Sequence, residues 1–554
     1  MGGTTPTSSG SSRKRTERTR RPVYCAVSLS RRWSWAALAL LVLVAALLRA
    51  RLLDVPLDRD EGEYAWIGSL LLDGVPPYAR AYNMKMPGIY LVYAAGLAAF
   101  GHTIWAVHAA LMIGNAVAIV LVFLLSRRLF DDTVAVAAAG LFAVATLNPE
   151  IHGLASYAEH FVVASALAGA LALLVALERR LHGWFALAGL CFGIAFIVKQ
   201  SGGLLALLAV GMILGAAGRG APDRRTALSG FVWFVIAALV PLAAVGIWLF
   251  VAGTFANFWF WTFRYAVQYA TLQSADAAAR ALVRTAADIV PGAWPVIALA
   301  AVGAIALFRS DVSRSAKAFV LLLAGASALA ISAGFYYRHQ YFLLGLPVGT
   351  LLGGLGARTI AGALPGRRAR AAVVAGCVAF AGVWQLSWQA DIFFRATPAV
   401  VSRAIYGRNP FVESVEIARY IRERSSPSDR IAVIGSEPQV YFYARRPPAT
   451  SFIYMYPLME AQPFASGMQR ALIGEVEAAR PAYLVYVNLG ASWLRTAASD
   501  PTLDRWFHEY VRQYERVGIA DIISRELTRY RWDDAARDYS PESPIWMAVY
   551  RRRD

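Results

Sequence analysis

The stretch Ser34–Leu48, SWAALALLVLVAALL, decides the class of fold because it carries no charged side chain. With its continuation to about residue 53, it has the length of about 20 residues that a helix needs to cross a bilayer. Similar runs recur to about residue 389 and end where charged residues return, from Asp391 onward. The pattern predicts a mostly α, polytopic membrane protein followed by a smaller soluble part.

The composition also indicates a lipid environment. Of the 554 residues, 58% are hydrophobic and 16% are charged, whereas soluble proteins hold about 25% charged residues. The net charge of +18 would suit a nucleic-acid binder, but the cytoplasmic loops of a polytopic protein produce the same balance. We therefore expect membrane lipid, and not nucleic acid, as a partner. None of the three cysteines falls in a predicted outward part, so no disulfide framework is expected.

Residues 1–33, before the first span, are rich in serine and threonine and then in arginine. No small-residue cleavage site follows Ser34–Leu48, and further spans come after it, so a cleaved signal peptide is not favoured. We predict a disordered, basic cytoplasmic tail that leads into an uncleaved first span.

Eleven spans are predicted from apolar length. They lie at about 34–53, 105–126, 133–148, 158–177, 184–198, 202–217, 229–252, 291–308, 318–335, 341–357 and 371–390. With the N-terminus in the cytoplasm, the basic clusters that end these spans fall on the cytoplasmic side, as the positive-inside rule requires. The predicted domains are a membrane domain at 34–390, with a first outer loop at 54–104, and an extracytoplasmic domain at 391–554. We expect a multi-pass protein of the cell (plasma or inner) membrane.

Both outward parts have patterns of regular structure. In the first outer loop, 62–72 and 87–100 have helical apolar spacing but are short, so they are predicted as helices at the membrane surface. In the tail, helices and apolar strands alternate, which is typical of a small α/β sheet. The predicted tail elements are helices at 412–424 and 468–479 and strands at 430–435, 482–487 and 545–550.

The first outer loop carries four carboxylates within six residues, Asp58, Asp60, Glu61 and Glu63. Such a cluster can simply cap the helix that follows, because a helix N-terminus favours negative charge. Alternatively, a carboxylate held at the bilayer edge can take a proton from an acceptor hydroxyl. The position of the cluster leaves both interpretations open.

Two cations are predicted at the same outward face. Lys85 lies between the two short helices, where it can snorkel to the interface or bind a lipid-linked phosphate. Arg338 lies in the aromatic link 335–341, on the side where positive charges are sparse, and can also hold a phosphate. The aromatic residues of 253–290 favour an interfacial helix over a sugar-binding surface.

A second acidic position begins the fourth span, where Glu159 and His160 lie at a membrane boundary. Ionisable residues there are costly and are functional candidates, although both can also face interfacial water. Glu150 and His152 lie close by in sequence. Two carboxylates from different loops could share a divalent cation, but no spacing identifies a metal site, and the metal is left unknown.

The first outer loop resembles that of a known superfamily. Asp58–Ala65, DRDEGEYA, resembles the Asp-Glu … Tyr-Ala opening of this loop in GT-C glycosyltransferases. Lys85-Met86-Pro87 is similar to the Lys-Pro-Pro step of the protein O-mannosyltransferase and lipid A aminoarabinose transferase branch (glycosyltransferase family 39), with Met86 in place of the first proline.

Later stretches add to this resemblance. Glu159-His160 resembles the acidic position at the start of the fourth span, and 338–347 is similar to the late-span motif of bacterial members. In architecture the resemblance covers roughly 34–360, and the pattern at 430–443 is also similar to bacterial relatives.

The resemblance implies an inverting transferase that moves a hexose- or pentose-type sugar from a polyprenyl-phosphate donor on the outer face of the membrane. The acceptor would be a lipid, a glycan or a protein. Asp60 would be the base, and Glu61 would position the loop or the acceptor. Lys85 would bind the donor phosphate, with Arg338 as a further candidate.

Two other classes of function remain as alternatives. A transporter or flippase of a lipid-linked sugar predicts internal repeats and charges near mid-membrane, whereas the notable charges here lie at the outer edge. A non-catalytic scaffold with a sensing domain gives the acidic loop no role. Within the enzyme class, an O-antigen-type or arabinofuranosyl transferase is a further alternative.

Overall fold

The structure is a computed structural model that describes Gly2, residues 31–218 and residues 221–553. Apart from Gly2 and the last three residues, which begin the first helix, the predicted tail 1–33 lies outside the described residues. The chain forms a bundle of long apolar helices, and the C-terminal part packs against the loops at one end of that bundle.

As far as residue 388, the described residues form fifteen α-helices. They are α1 (Arg31–Ala50), α2 (Arg59–Leu72), α3 (Pro87–Phe100), α4 (Ile104–Leu129), α5 (Asp132–Ala145), α6 (Ala158–Arg179), α7 (His182–Val198), α8 (Ala206–Ala217), α9 (Ala221–Val251), α10 (Phe255–Trp259), α11 (Ala266–Ala270), α12 (Ala275–Arg309), α13 (Arg314–Ile331), α14 (Leu346–Gly362) and α15 (Arg367–Trp388). Turns of 3-10 helix precede α8, at Gln200–Leu205, and α14, at His339–Gly345.

In the described part of the chain, nine helical segments are long and apolar enough to cross a membrane. They are Arg31–Ala50, Ile104–Leu129, Ala158–Arg179, Gln200–Ala217, Arg224–Val251, Ala275–Arg309, Arg314–Ile331, His339–Gly362 and Arg367–Trp388. The two remaining predicted spans coincide with the shorter apolar helices α5 and α7. The mostly α, polytopic fold predicted from the apolar runs is therefore confirmed.

Small residues allow several of these helices to pack at close range. A Cβ atom on Gly193 of α7 would lie 2.3 Å from the carbonyl oxygen of Ala238 in α9. A Cβ atom on Gly303 of α12 would lie 1.8 Å from the carbonyl oxygen of Leu352 in α14. Side chains of any size would force these helices apart, and small residues at such crossings are typical of membrane helix bundles.

The first outer loop forms the predicted helices, but the environment of α2 differs from the prediction. Every residue from Glu61 to Leu70 is buried, so α2 lies inside the protein and not on a membrane surface. A Cβ atom on Gly62 would lie 2.5 Å from the Cβ atom of Gln439 in the tail. The tail therefore covers α2 from outside. Glycine is required at position 62, because any side chain there would clash with Gln439.

The tail contains eight helices and a five-stranded sheet. The helices are α16 (Pro398–Tyr406), α17 (Phe411–Glu423), α18 (Gln439–Ala444), α19 (Tyr456–Met459), α20 (Ala465–Ala479), α21 (Gly490–Trp493), α22 (Thr502–Tyr510) and α23 (Asp534–Arg537). The strands are β1 (Ile431–Ile434), β2 (Tyr483–Asn488), β3 (Tyr514–Ile522), β4 (Thr528–Trp532) and β5 (Trp546–Arg552). Their order is β1-β2-β5-β3-β4, with β1 and β2 parallel and the other pairs antiparallel.

The small α/β sheet predicted for the tail is therefore correct, although two of its strands, β3 and β4, were not predicted. An ion pair joins the tail to the first outer loop, because the Arg59 guanidinium lies 2.8 Å from a carboxylate oxygen of Glu437. The loop and the tail thus lie at the same end of the bundle. An odd number of spans would place the loop and the tail on the same side of a membrane; the number eleven and the orientation stay predictions.

Candidate active site

The acidic cluster of the first outer loop begins with a helix cap. Asp58 accepts a hydrogen bond from the Glu61 amide at 2.9 Å, and Glu61 accepts one from the Asp58 amide at 3.3 Å. This reciprocal arrangement is a capping box, which stabilises the start of α2. Asp58 also accepts a hydrogen bond from the Tyr157 hydroxyl. Burial, together with the nearby carboxylates of Glu61 and Asp60, raises the pKa of Asp58 to about 8.

Glu61 connects α2 to two neighbouring segments. Its Oε1 atom accepts a hydrogen bond from the Ser156 amide at 2.6 Å and lies 3.1 Å from Nε2 of His108 in α4. The Glu61 side chain is only 2% exposed. It therefore holds the loop before α6 in place. The predicted role of Glu61 in positioning the first outer loop or the acceptor stays a prediction.

Asp60 differs from its neighbours because its side chain is 21% exposed and faces a groove. Lys85 Nζ lies 3.2 Å from one carboxylate oxygen, and the Tyr454 hydroxyl donates a hydrogen bond of 3.2 Å to the other. Burial would raise the pKa of Asp60, but the charges of Lys85, Arg338 and Lys199 outweigh burial and hold that pKa below its ordinary value. Asp60 is thus an ionised carboxylate at neutral pH.

The groove has a volume of about 230 Å³ and contains three cations, Lys85, Lys199 and Arg338. Lys85 donates a hydrogen bond of 3.0 Å to the Tyr64 hydroxyl. Burial would lower the pKa of Lys85, but the carboxylates of Asp60 and Glu63 raise it above its ordinary value. Lys85 therefore keeps its charge in a largely buried position, which suits the binding of an anion.

The other two cations are held by aromatic side chains from two segments, Tyr269 of α11 and Tyr341 of the link between α13 and α14. Arg338 donates a hydrogen bond of 2.9 Å to the Tyr269 hydroxyl, and the Lys199 ammonium lies 4.2 Å from the ring centroid of Tyr341. Just before Arg338, Phe335 and Tyr337 adopt left-handed backbone conformations, with φ of 58° and 44°. Such conformations are rare outside glycine and concentrate at functional sites.

One end of the groove is aromatic. The rings of Tyr269 and Tyr336 stack with centroids 4.4 Å apart, and Tyr265 donates a hydrogen bond to Glu460 of the tail. Burial raises the pKa of Glu460 to about 7, although the Tyr265 hydrogen bond and Arg338 act in the opposite direction. Aromatic faces and a carboxylate are groups that commonly contact sugars, so this end of the groove can accept a polar ring.

The structure brings some predicted site residues together and separates others. Asp60, Lys85 and Arg338 line the same groove. Glu159 is buried behind the groove, where it pairs with Lys199. His160 is buried in α6 and does not line the groove. The two residues of the predicted second acidic site therefore do not line the groove, and Glu159 instead holds Lys199 in place through an ion pair.

Sequence reasoning missed the groove residues that the tail supplies, namely Tyr454, Tyr456 and Glu460. They lie far from the first outer loop in sequence, and no spacing signalled their position. Lys199 follows the fifth predicted span, and sequence analysis assigned it no function. In the residues that the structure describes, no group of three histidine, cysteine, aspartate or glutamate side chains could hold a metal ion.

Comparisons with solved structures show which fold the chain has. The chain has a TM-score of 0.62 and 16% identity to ArnT from Cupriavidus metallidurans bound to undecaprenyl phosphate, over 94% of this chain and 98% of that one. The apo form of the same ArnT gives a TM-score of 0.60, with the same identity and coverage. The chain has the fold of the GT-C membrane glycosyltransferases. At such low identity the likeness establishes the fold.

Two further comparisons concern the GT-C fold. The archaeal oligosaccharyltransferase AglB from Archaeoglobus fulgidus, in complex with an inhibitory peptide and a dolichol-phosphate, matches with a TM-score of 0.52 and 14% identity. That match covers 93% of this chain and 75% of AglB. A family model described as dolichyl-phosphate-mannose-protein mannosyltransferase matches residues 84–248. No curated protein sequence matches the chain.

Proposed function

We propose that the chain is an inverting glycosyltransferase that moves a sugar from a polyprenyl-phosphate donor to an acceptor hydroxyl, with Asp60 as the base. One observation carries the proposal: the carboxylate of Asp60, kept ionised by its neighbours, lies among three cations in one groove at the loop end of a GT-C bundle. The structures of ArnT with undecaprenyl phosphate and AglB with a dolichol-phosphate support a polyprenyl-phosphate as the donor carrier.

The charges suit the leaving group of such a reaction. The donor phosphate gains negative charge as the bond between the anomeric carbon and the phosphate oxygen breaks. Lys85, Arg338 and Lys199 can stabilise that charge, and fixed charges in a site of low solvent content act strongly on it. The phosphate leaves as an ionised group, so the reaction requires cations more than it requires a general acid.

The attacking group needs a proton acceptor. The acceptor oxygen forms its bond to the anomeric carbon from the face opposite the phosphate, and its proton passes to Asp60. The bonding electrons of the broken bond go to the phosphate oxygen, so charge and atoms balance in a single displacement with inversion. The lowered pKa makes Asp60 a weak base, so it takes the proton late, when the hydroxyl has become acidic.

The polyprenyl chain would lie along the apolar helices, while the sugar would occupy the aromatic end of the groove near Tyr269. We further propose that the reaction takes place at the outer face of the cell membrane and that the sugar is a hexose or a pentose. The orientation rests on the distribution of basic loops.

The decisive experiment is Asp60→Asn in the full-length protein in membranes. Transfer of a radiolabelled sugar from a synthetic polyprenyl-phosphate donor to envelope glycans is measured. We expect transfer to be lost while the donor still binds. Turnover close to that of the unchanged protein, in a correctly inserted variant, would exclude Asp60 as the base.

A further inference from the structure

A second cavity, of about 670 Å³, lies beside the groove. Polar and titratable side chains line it, including Glu150, His152, Asp288, His339, Gln389 and Asp391. Arg338 lines the groove, and the next residue, His339, lines the second cavity. The segment between α13 and α14 therefore forms a wall between the two spaces. The function proposed above uses the groove and assigns no role to this cavity.

His152 connects the second cavity to the acidic cluster. Its ring stacks on that of His339, with centroids 5.5 Å apart, and packs against Tyr157 at 5.3 Å. Tyr157 in turn donates a hydrogen bond to Asp58, two residues before Asp60. Burial and the charges of His339 and Arg338 lower the pKa of His152 to about 3, although the charge of Asp60 acts in the opposite direction. His152 is thus a neutral side chain within electrostatic reach of Asp60.

The second cavity has a charge pattern opposite to that of the groove. Three carboxylates line it, from Glu150, Asp288 and Asp391. Asp288 lies 3.0 Å from the His339 imidazole, and Asp391 lies 3.0 Å from the Arg395 guanidinium. Because the carboxylates outnumber the permanently charged cations among the lining residues, an anionic ligand is disfavoured here.

The donor and acceptor groups of this cavity suit hydroxyl groups. Carboxylates accept hydrogen bonds from hydroxyls, a neutral imidazole both donates and accepts, and the Gln389 amide does the same. The Nδ1 atom of His152 is buried and has no hydrogen-bond partner among the described residues. A neutral ligand with several hydroxyl groups would satisfy such a set of side chains.

We propose that the second cavity binds the acceptor and that the acceptor is a neutral saccharide. The proposal rests on the glycosyl transfer proposed above, because an acceptor has meaning only beside a donor. The saccharide occupies the carboxylate-lined cavity, and its reacting hydroxyl extends past His152 to Asp60. The cation-lined groove and the carboxylate-lined cavity then keep the anionic donor and the neutral acceptor apart until they meet at Asp60.

The test uses the full-length protein in nanodiscs with a synthetic polyprenyl-phosphate-sugar donor. Three acceptor probes are compared: neutral hexyl glycosides, a phosphorylated hexyl glycoside and a threonine peptide. We expect saturable transfer to at least one neutral glycoside and little to the other two probes. Preferred transfer to the peptide or to the phosphorylated glycoside overturns the proposal. So does the absence of transfer to any glycoside by protein that binds the donor.

Two substitutions on the same helix provide a matched comparison. Asp288→Asn removes a carboxylate of the cavity, whereas Asp276→Asn removes an exposed carboxylate at the start of α12. Loss of a hydrogen bond to a charged group raises the KM for the glycoside about tenfold in the first variant. The KM for the donor stays unchanged in both. Equal glycoside KM values for the two variants overturn the proposal.

A charge reversal tests for a gain of function, which a folding defect cannot produce. Glu150→Lys should raise transfer to the phosphorylated glycoside relative to the neutral one, and an unchanged ratio contradicts the proposal. Failure of the glycosyltransferase function is distinguished by Asp60→Asn. If that variant transfers sugar normally, the function itself is wrong. If it is inactive and the cavity variants behave like Asp276→Asn, only the acceptor site is wrong.

Discussion

The groove and the second cavity share one wall but differ in charge. In the groove, the cations Lys85, Lys199 and Arg338 outnumber the carboxylates of Asp60 and Glu460. In the cavity beyond His339, carboxylates prevail. Both spaces lie at the loop end of the bundle, and the link between α13 and α14 contributes to both, whereas their other lining segments differ. The comparison teaches that such a bundle can hold two spaces of opposite charge side by side, because neighbouring residues of one link, Arg338 and His339, line different spaces.

The largest expected effect comes from Asp60, the proposed base in the groove. Asp60→Asn should lower kcat by about 10²–10⁴-fold, the usual contribution of a general base. Asp58→Asn is the matched control two residues earlier, because asparagine is as good a helix cap as aspartate. It should retain activity within about threefold. Single-turnover transfer measures both, and equal losses in the two variants would mean that the cluster acts only through structure.

The next effect concerns the contact that holds the start of α2 under the tail. Glu437 is fully buried and pairs with Arg59 at 2.8 Å. Glu437→Gln leaves the Arg59 charge without its partner, which typically costs about 3–5 kcal/mol of unfolding free energy. Thermal unfolding in nanodiscs should show a clearly lowered midpoint. Arg419→Gln, at an exposed ion pair of the tail, is the control and should leave the midpoint nearly unchanged.

A smaller effect should show that the groove and the second cavity bind different substrates. Lys85→Met should raise the KM for the donor by about 10–100-fold, because a hydrogen bond between charged groups is worth about 1.5–3 kcal/mol. The KM for the acceptor should not change. Steady-state titration of each substrate at saturation of the other measures the two constants. If only the KM for the acceptor rises, the groove binds the acceptor and not the donor, which contradicts the proposal.

The smallest predicted effect is a pH dependence of donor binding. Glu460 lines the groove, and its pKa is raised to about 7. It becomes charged as the pH rises through 7, and its charge then repels the donor phosphate, which as a diester does not titrate in this range. Donor affinity should fall by about twofold to threefold from pH 6 to pH 8. Glu460→Gln should abolish the pH dependence of donor affinity in a binding titration. If the variant keeps a pH dependence of the same size, another titratable group causes it.

Much of the membrane part could be predicted because its signals are local. An apolar run of sufficient length is a span wherever it packs, so the helices follow the predicted spans, including the short α5 and α7. Boundaries were less accurate: α12 begins at Ala275, well before the predicted start of its span at about 291. Its first turns are amphipathic and contain charged residues, which hide a helix from a search for apolar length.

The tail was predicted in part for the same reason. Strands β1 and β5 have continuous buried segments and were found. Strand β4, Thr-Arg-Tyr-Arg-Trp, is half-buried throughout at the edge of the sheet. Its alternation of charged and aromatic residues carries no clear apolar signal, so its pairing with β3 was not foreseen. The predicted domain boundary at residue 390 and the membrane orientation stay predictions.

The sequence by itself determined the class of fold, the helices of the first outer loop and the candidate residues Asp60, Lys85 and Arg338. Apolar length and short motifs are properties of neighbouring residues, so a linear reading detects them. Only the tertiary structure decided that Tyr454 reaches Asp60 and that Glu460 lines the groove. It also decided that Asp58 and Glu61 form a cap while Asp60 faces the groove. Contacts between residues hundreds of positions apart depend on how the tail docks, and no local pattern encodes that docking.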